Sequence, residues 1–394
     1  MAGEEPSDDV LAGELLREYS HRRSGKTAEP LIAIQGGGAK GGWQGGVLSQ
    51  LLGFGMRPAC CFGSSAGALN AVLVSAWLDA PGRTPFSDFW TALADGRLAR
   101  LGRVGPSAIG GASRLLGSVI GQCVRHSDKA RLPSVVKFEE FREEIGRALP
   151  IPTLPTQHTY LYCTNIDGPP PSLLNSQNLF SFHWAIGKQD VECVLGGTTG
   201  RADVLTAVAS SCCLPFVEPP IINGVHAADG GFFSNLPVDV IFSQGAMGGS
   251  ECVFVVATPL DVLKPDSEFI DYKTVFLLRE LQSIQLNALR RLRGGGQGFF
   301  APPFRTPVFV IQPKAPLESK LVNGFCKPKV MAEDIRLGEL RGREFVNAIE
   351  GALHGKPMAL RPFHLLEIEL PELPETPPAL DAFWISGVNQ SWRK

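Results

Sequence analysis

Short, wholly apolar runs alternate with longer stretches of small and apolar residues along the first third of the chain. Leu31-Ile32-Ala33-Ile34 is such a run, closed by glycines, and predicts a buried strand. Trp43 to Leu52 predicts a helix, Pro58 to Phe62 a second short strand, and Ala66 to about Ala80 a long small-residue helix. The alternation points to βαβ units and a mostly parallel sheet. Further strands are expected at Thr159 to Cys163, Cys252 to Val256 and Pro307 to Ile311. Further helices are expected at Val204 to Ser211, Tyr272 to Arg293 and Arg336 to Leu353. Asp8 to Arg23 reads as a short charged helix, and the Pro-rich tail Pro357 to Pro378 as an irregular surface segment. No internal repeat is visible. The expected division is an extension over 1–28, a core over 29–260, and helices and a strand over 261–394 that complete the same domain.

With 394 residues, 44% of them hydrophobic, the chain can bury a large core. A net charge of −2 argues against a nucleic-acid partner, which usually demands a strong basic excess. Met1 to Pro30 holds no apolar segment of signal-peptide type, and no window reaches the roughly 18 unbroken apolar residues of a membrane span. Nine cysteines, with adjacent pairs at Cys60-Cys61 and Cys212-Cys213 and no C-x-x-C, read as buried reduced thiols. No metal site or cofactor is expected, and a cytoplasmic location fits.

Three motifs carry chemistry. Gly63-Ser64-Ser65-Ala66-Gly67 stands between a predicted strand and a helix, where a serine sits on a sharp turn beside a helix N-terminus. Gly36-Gly37-Gly38-Ala39-Lys40-Gly41 follows a strand and precedes a helix, and can direct several N–H groups at one point. Its formal match to G-x-G-x-x-G raises a dinucleotide reading. That reading wants an acid about 20 residues on, and the next acid is Asp79. Gly25-Lys26-Thr27 lacks the first glycine of a phosphate loop and precedes the strand, so it is set aside. Asp229-Gly230-Gly231 alone reads as a turn; beside a nucleophilic serine, Asp229 becomes a candidate base. A Ser-Asp-His order through Asp229 and His354 is the alternative, and His226 lies three residues before Asp229.

The ordered set G-G-G-x-[RK]-G, G-x-S-x-G and D-G-[GA] resembles the patatin-like phospholipase family over roughly residues 30 to 260. Ala207 to Ser211 followed by Pro215-Phe216, and Gly230 to Pro237, are similar to that family's segments around the aspartate. The resemblance implies a three-layer α/β/α sandwich related to the α/β-hydrolases. It also implies a Ser-Asp dyad of Ser65 and Asp229 acting without histidine. The oxyanion hole would be built around Gly37, Gly38 and Ala39, with Lys40 at the Arg/Lys position. Gly36, Gly41, Gly63, Gly67, Gly230 and Gly231 are the motif glycines. Gln35 departs from the family pattern, where an acid is frequent.

The implied substrates are acyl esters of glycerolipids. An acyltransferase using the same serine and a non-catalytic lipid-binding protein are the alternatives. Two stretches offer contact with an anionic membrane. Residues 97–131 carry Arg97, Arg100, Arg103, Arg114, Arg125, Lys129 and Arg131 against the single acid Asp128, and 299–304 is aromatic. The first also reads as an ordinary surface loop with a solvated charge face, and the second as a loop that tucks its aromatics into the core.

Overall fold

Every residue of β1 (Leu31–Ile34) and β2 (Cys60–Ser64) is buried, so both faces of these strands are covered. Continuous apolar runs of this kind belong in the middle of a parallel sheet. The computed structural model describes residues 30–81, 85–97, 136–165, 167, 179–195, 198–214, 217–231, 235–236, 253–258, 308–315, 317–319 and 327–353. The expected helices at 8–23 and 272–293, the Pro-rich tail, the basic stretch beyond Arg97 and the aromatic run 299–304 lie outside these residues.

The chain runs from β1 through a 3₁₀ turn (Gly38–Lys40) into α1 (Gly41–Gly53), then β2 and α2 (Ala66–Asp79). Next come α3 (Pro85–Ala92), α4 (Phe138–Ala148), β3 (His158–Asn165), β4 (Leu179–Trp184), β5 (Val191–Leu195) and β6 (Thr198–Ala202). α5 (Val204–Ser211), the hairpin β7 (Ile221–Ile222) and β8 (Val225–Asp229), β9 (Val253–Val256), β10 (Val308–Ile311) and α6 (Pro328–Leu353) follow. The described strands form one sheet of order β10-β9-β1-β2-β3-β4-β5-β6. The block β10-β9-β1-β2-β3 is parallel, with Leu31 in register with Cys60 on one side and Val253 on the other. Beyond β3 the sheet continues as the antiparallel arm β4-β5-β6.

The expected elements stand at their positions with small shifts. α1 begins two residues before the apolar pattern, β2 runs two residues further, and α6 begins at Pro328 rather than Arg336. Proline suits a first helical turn, where its missing N–H is not needed. α5 matches its predicted span, and Asp203 caps it by accepting the Thr206 N–H at 2.9 Å.

The topology around β3 makes the site. β4 occupies one edge of β3 over Thr159 to Thr164. On the other edge β2 pairs only as far as Ser64↔Tyr162, and β8 takes over at Cys163↔Asp229. A strand has two edges, so the end of β2 and the end of β8 meet head to head. That junction brings together two residues 164 positions apart in sequence.

α6 lies against α1 with the two backbones in contact. A Cβ placed on Gly46 would lie 2.2 Å from the Ile335 carbonyl oxygen, and one on Gly338 2.0 Å from the Trp43 carbonyl oxygen. Glycine weakens a helix by about 1 kcal/mol relative to alanine, and here it is required by this close approach.

Candidate active site

Ser65 sits between β2 and α2 with φ 54° and ψ −126°, one of two non-glycine residues with positive φ among those described. The strain is held from several sides. The Ser65 N–H donates to Ser211 Oγ at 3.1 Å, and that hydroxyl donates to the Tyr162 carbonyl at 2.6 Å. The Ser65 carbonyl accepts from the Ala68 and Leu69 N–H groups and from the Cys212 thiol. The elbow leaves no room at its glycines. A Cβ on Gly63 would stand 2.2 Å from the Gly67 carbonyl oxygen, and one on Gly67 would stand 2.2 Å from that of Ile34. Gly63→Ala should therefore destabilise the fold by about 3 kcal/mol or more; a urea midpoint equal to wild type would contradict this.

Ser65 Oγ donates to Asp229 Oδ2 at 2.6 Å. Asp229 also accepts the Gly231 N–H on Oδ1 at 2.7 Å, and its own carbonyl accepts from Thr164 Oγ1. Ser65 is 8% exposed and Asp229 5%, so the pair is nearly closed off from water. Burial pushes the Asp229 carboxyl up to about 6, although hydrogen bonds from Ser65 and Gly231 favour its ionised form. Cys163, Cys212 and Cys213 lie close enough to feel its charge, and burial pushes their thiols well up, so they stay protonated. A hydroxyl, a carboxylate of raised basicity and a helix N-terminus thus share one point.

The glycine loop abuts this pair: a Cβ on Gly36 would lie 3.0 Å from Ser65 Cβ. Gly36 itself is tied to Asn235 in both directions, N–H to carbonyl at 2.8 Å and carbonyl from Asn235 Nδ2 at 3.1 Å. Gly38 has φ 54°. The Lys40 N–H is committed to the Gly37 carbonyl at 3.1 Å, which closes the 3₁₀ turn. Among the described residues the N–H groups of Gly37, Gly38 and Ala39 make no main-chain hydrogen bond. Gly230 packs against the Tyr162 carbonyl, and Gly231 contributes its N–H to Asp229.

The loop is supported from below by buried side chains that the sequence motifs do not contain. Gln44 donates to the Gln35 carbonyl at 2.7 Å and to Thr258 Oγ1 at 3.1 Å. Asn70 donates to the Gly41 carbonyl and to Gln44 Oε1, and accepts from Trp90 Nε1 at 2.9 Å. Polar residues at apolar-faced positions of two predicted helices were the available signal. Ser211 and Asn235 stood inside the segments that resemble the family's around Asp229, but with no role assigned, and Thr258 gave no signal, because their roles exist only in three dimensions.

His226 is not part of the pair. It stands three residues from Asp229 on β8, hence on the other face of the strand, and both its ring and its N–H bind the Asp167 carboxylate. His158 and His183 pair with each other at 3.0 Å at the start of β3. His354 lies outside the described residues.

A parallel sheet with a serine on a strand-to-helix elbow defines an α/β protein of the nucleophile-elbow class. A patatin-like phospholipase family model matches residues 32–242, just over half of the chain. The chain belongs to the patatin-like phospholipase family, a family of lipid acyl hydrolases, and has its three-layer α/β/α fold. VipD from Legionella pneumophila is a similar solved structure, at 14% identity and a TM-score of 0.38, covering 82% of this chain and 67% of that one. Human GIVD cytosolic phospholipase A2 is another, at 11% identity and a TM-score of 0.42, covering 90% of this chain and 65% of that one. The chain thus spans about two thirds of the length of each. Among curated proteins, none matches its sequence.

Proposed function

We propose that this chain cleaves fatty acyl esters of glycerolipids through an acyl-enzyme on Ser65, with Asp229 as the base. The observation that carries the reading is the 2.6 Å hydrogen bond between Ser65 Oγ and Asp229 inside a strained elbow. Asp229 takes the hydroxyl proton as Ser65 Oγ bonds to the ester carbonyl carbon. The electron pair of the carbonyl moves onto its oxygen, which the amides of Gly37, Gly38 and Ala39 receive. One such donor is worth about 3 kcal/mol in the transition state. Asp229 then passes its proton to the departing alcohol as the ester C–O bond breaks. Water enters, loses a proton to Asp229 and attacks the acyl carbon; Ser65 leaves with that proton and the fatty acid is released.

A solvated aspartate is too weak a base for this role, and burial answers that difficulty. At about 6 the Asp229 carboxyl is still ionised at neutral pH yet far closer to the proton it must hold.

The setting is a further part of the reading. No helix among the described residues is long and apolar enough to cross a membrane. Cys61, Cys163, Cys193, Cys212 and Cys213 are buried thiols, which suits a reducing cytoplasm. Residues 97–131 and 299–304 are the proposed contacts with an anionic lipid surface.

A fluorophosphonate probe tests the assignment: one adduct is expected, mapped to the Ser65 peptide. Hydrolysis should follow in a panel of phospholipids, lysophospholipids, triacylglycerols and short-chain esters, with and without anionic vesicles. Hydrolysis without Ser65 labelling would overturn the mechanism. Vesicle binding with neither labelling nor hydrolysis would favour the non-catalytic alternative, and acyl transfer to an added lipid alcohol would favour the transferase.

A further inference from the structure

α5 ends at Ser211, and this residue and the two that follow it bind the main chain around both Ser65 and Asp229. A residue's backbone is set by the two peptide planes that flank it, because each plane is rigid. For Ser65 the first plane carries its N–H, which donates to Ser211 Oγ at 3.1 Å. The second carries its carbonyl, which accepts from the Cys212 thiol at 3.1 Å. For Asp229 the first plane carries its N–H, which donates to the Cys213 carbonyl at 2.9 Å. The second carries the Gly230 N–H, which donates to the Ser211 carbonyl at 3.2 Å. Three consecutive residues thus hold the planes around two side chains 164 positions apart in sequence.

The hold on the Ser65 amide comes from a side chain. The Ser211 hydroxyl has one proton, which goes to the Tyr162 carbonyl at 2.6 Å, and this turns its lone pairs to the Ser65 N–H. The anchor is therefore β3, the strand on whose edge β2 and β8 meet. Ser65 needs such a restraint: with φ 54° its backbone is strained, and strain persists only where the surroundings over-determine it. We propose that Ser211 is a positioning residue for the nucleophile: it locks the Ser64–Ser65 peptide plane to β3, which aims Ser65 Oγ at Asp229 and at the ester carbon. The inference rests on the acyl-hydrolase reading above. It adds to that reading a residue from outside the serine–aspartate pair and the glycine loop.

The experiment compares Ser211→Ala with Ser210→Ala in the full chain, read by kcat, KM and the hydrogen-exchange rate of the Ser65 amide. Ser210 is the neighbouring buried serine, but its hydroxyl turns back to the Thr206 carbonyl at 2.7 Å within α5. Ser211→Ala is expected to lose about 10²-fold in kcat, the scale of a slightly misplaced catalytic group, with KM within about threefold of wild type. Its Ser65 amide, deprived of an acceptor, should exchange at least about tenfold faster. Ser210→Ala should keep the wild-type kcat and the wild-type exchange rate.

A wild-type kcat or a wild-type exchange rate in Ser211→Ala would overturn the proposal. So would a loss carried by KM rather than kcat, since Ser211 would then serve substrate binding. An equal fall of kcat in Ser210→Ala also overturns it, because the effect would then belong to the packing of α5. If Ser211→Ala does not fold, Ser211→Cys decides, since a thiol is a weak acceptor. Lowered kcat with faster Ser65 exchange supports the proposal, and a wild-type value of either overturns it. If wild type neither hydrolyses esters nor takes the fluorophosphonate, the hydrolase reading fails on its own. The exchange rate of the Ser65 amide then still tests whether Ser211 holds the elbow.

Discussion

Ser65→Ala is expected to fold and to lose acyl-enzyme formation altogether. Removing one oxygen from a buried side chain leaves β2, α2 and the Ser211 bond to the Ser65 N–H in place, since that bond uses the main chain. What disappears is the atom that must bond to the carbonyl carbon. Loss of the nucleophile in a serine hydrolase lowers kcat by on the order of 10⁶-fold, and what survives comes from the oxyanion donors and binding. A purified Ser65→Ala protein that melts like wild type but keeps even a tenth of the esterase rate would end the assignment. The variant should still bind lipid, so vesicle co-sedimentation separates loss of chemistry from loss of substrate.

Asp229→Asn carries the second large effect, with opposite signs for rate and stability. The rate should fall by on the order of 10⁴-fold, because an amide cannot accept the Ser65 proton. Wild-type kcat/KM should fall on acidification with a midpoint of about 6, where the carboxylate that must accept the proton becomes neutral. For stability, the folded value of about 6 lies above the ordinary 3.8. The folded state therefore holds this proton more tightly than the unfolded chain. Stability linked to it is fully present below pH 4 and is lost as pH rises through 6, by about 3 kcal/mol. The difference in unfolding free energy between Asp229→Asn and wild type should thus move in the variant's favour by about that amount between pH 4 and pH 7. Parallel stability curves for the two proteins would show that the carboxyl is not held in a dry site.

The elements that were legible in the sequence are those whose pattern is local. β1 is four apolar residues ended by glycines, and α5 is an apolar-periodic segment with an Asp N-cap. The hairpin β7–β8 was equally legible and went unread: Asn223 and Gly224 both take positive φ between apolar neighbours, the Asn-Gly turn chemistry of a tight hairpin. α4, with apolar Phe138, Phe141 and Ile145 on one side and acids and arginines on the other, was legible in the same way and also went unread. The arm β4–β6 did not. Its strands mix polar and apolar residues, and their pairing is a property of neighbours rather than of any single segment.

The sequence by itself determined which groups were available: a serine between glycines on a strand-to-helix boundary, an aspartate before two glycines, and a run of glycine amides. Those depend on backbone permissiveness and local spacing, which a chain carries wherever it is folded. Only the tertiary structure decided that β2 stops and β8 begins on the same edge of β3, which sets Ser65 against Asp229. It also decided that Asp229 is buried, with its carboxyl pushed up to about 6, that His226 turns to Asp167, and that Lys40 is buried. The physical reason is that desolvation and charge pairing are set by what surrounds a group in space, and no window of sequence contains its surroundings.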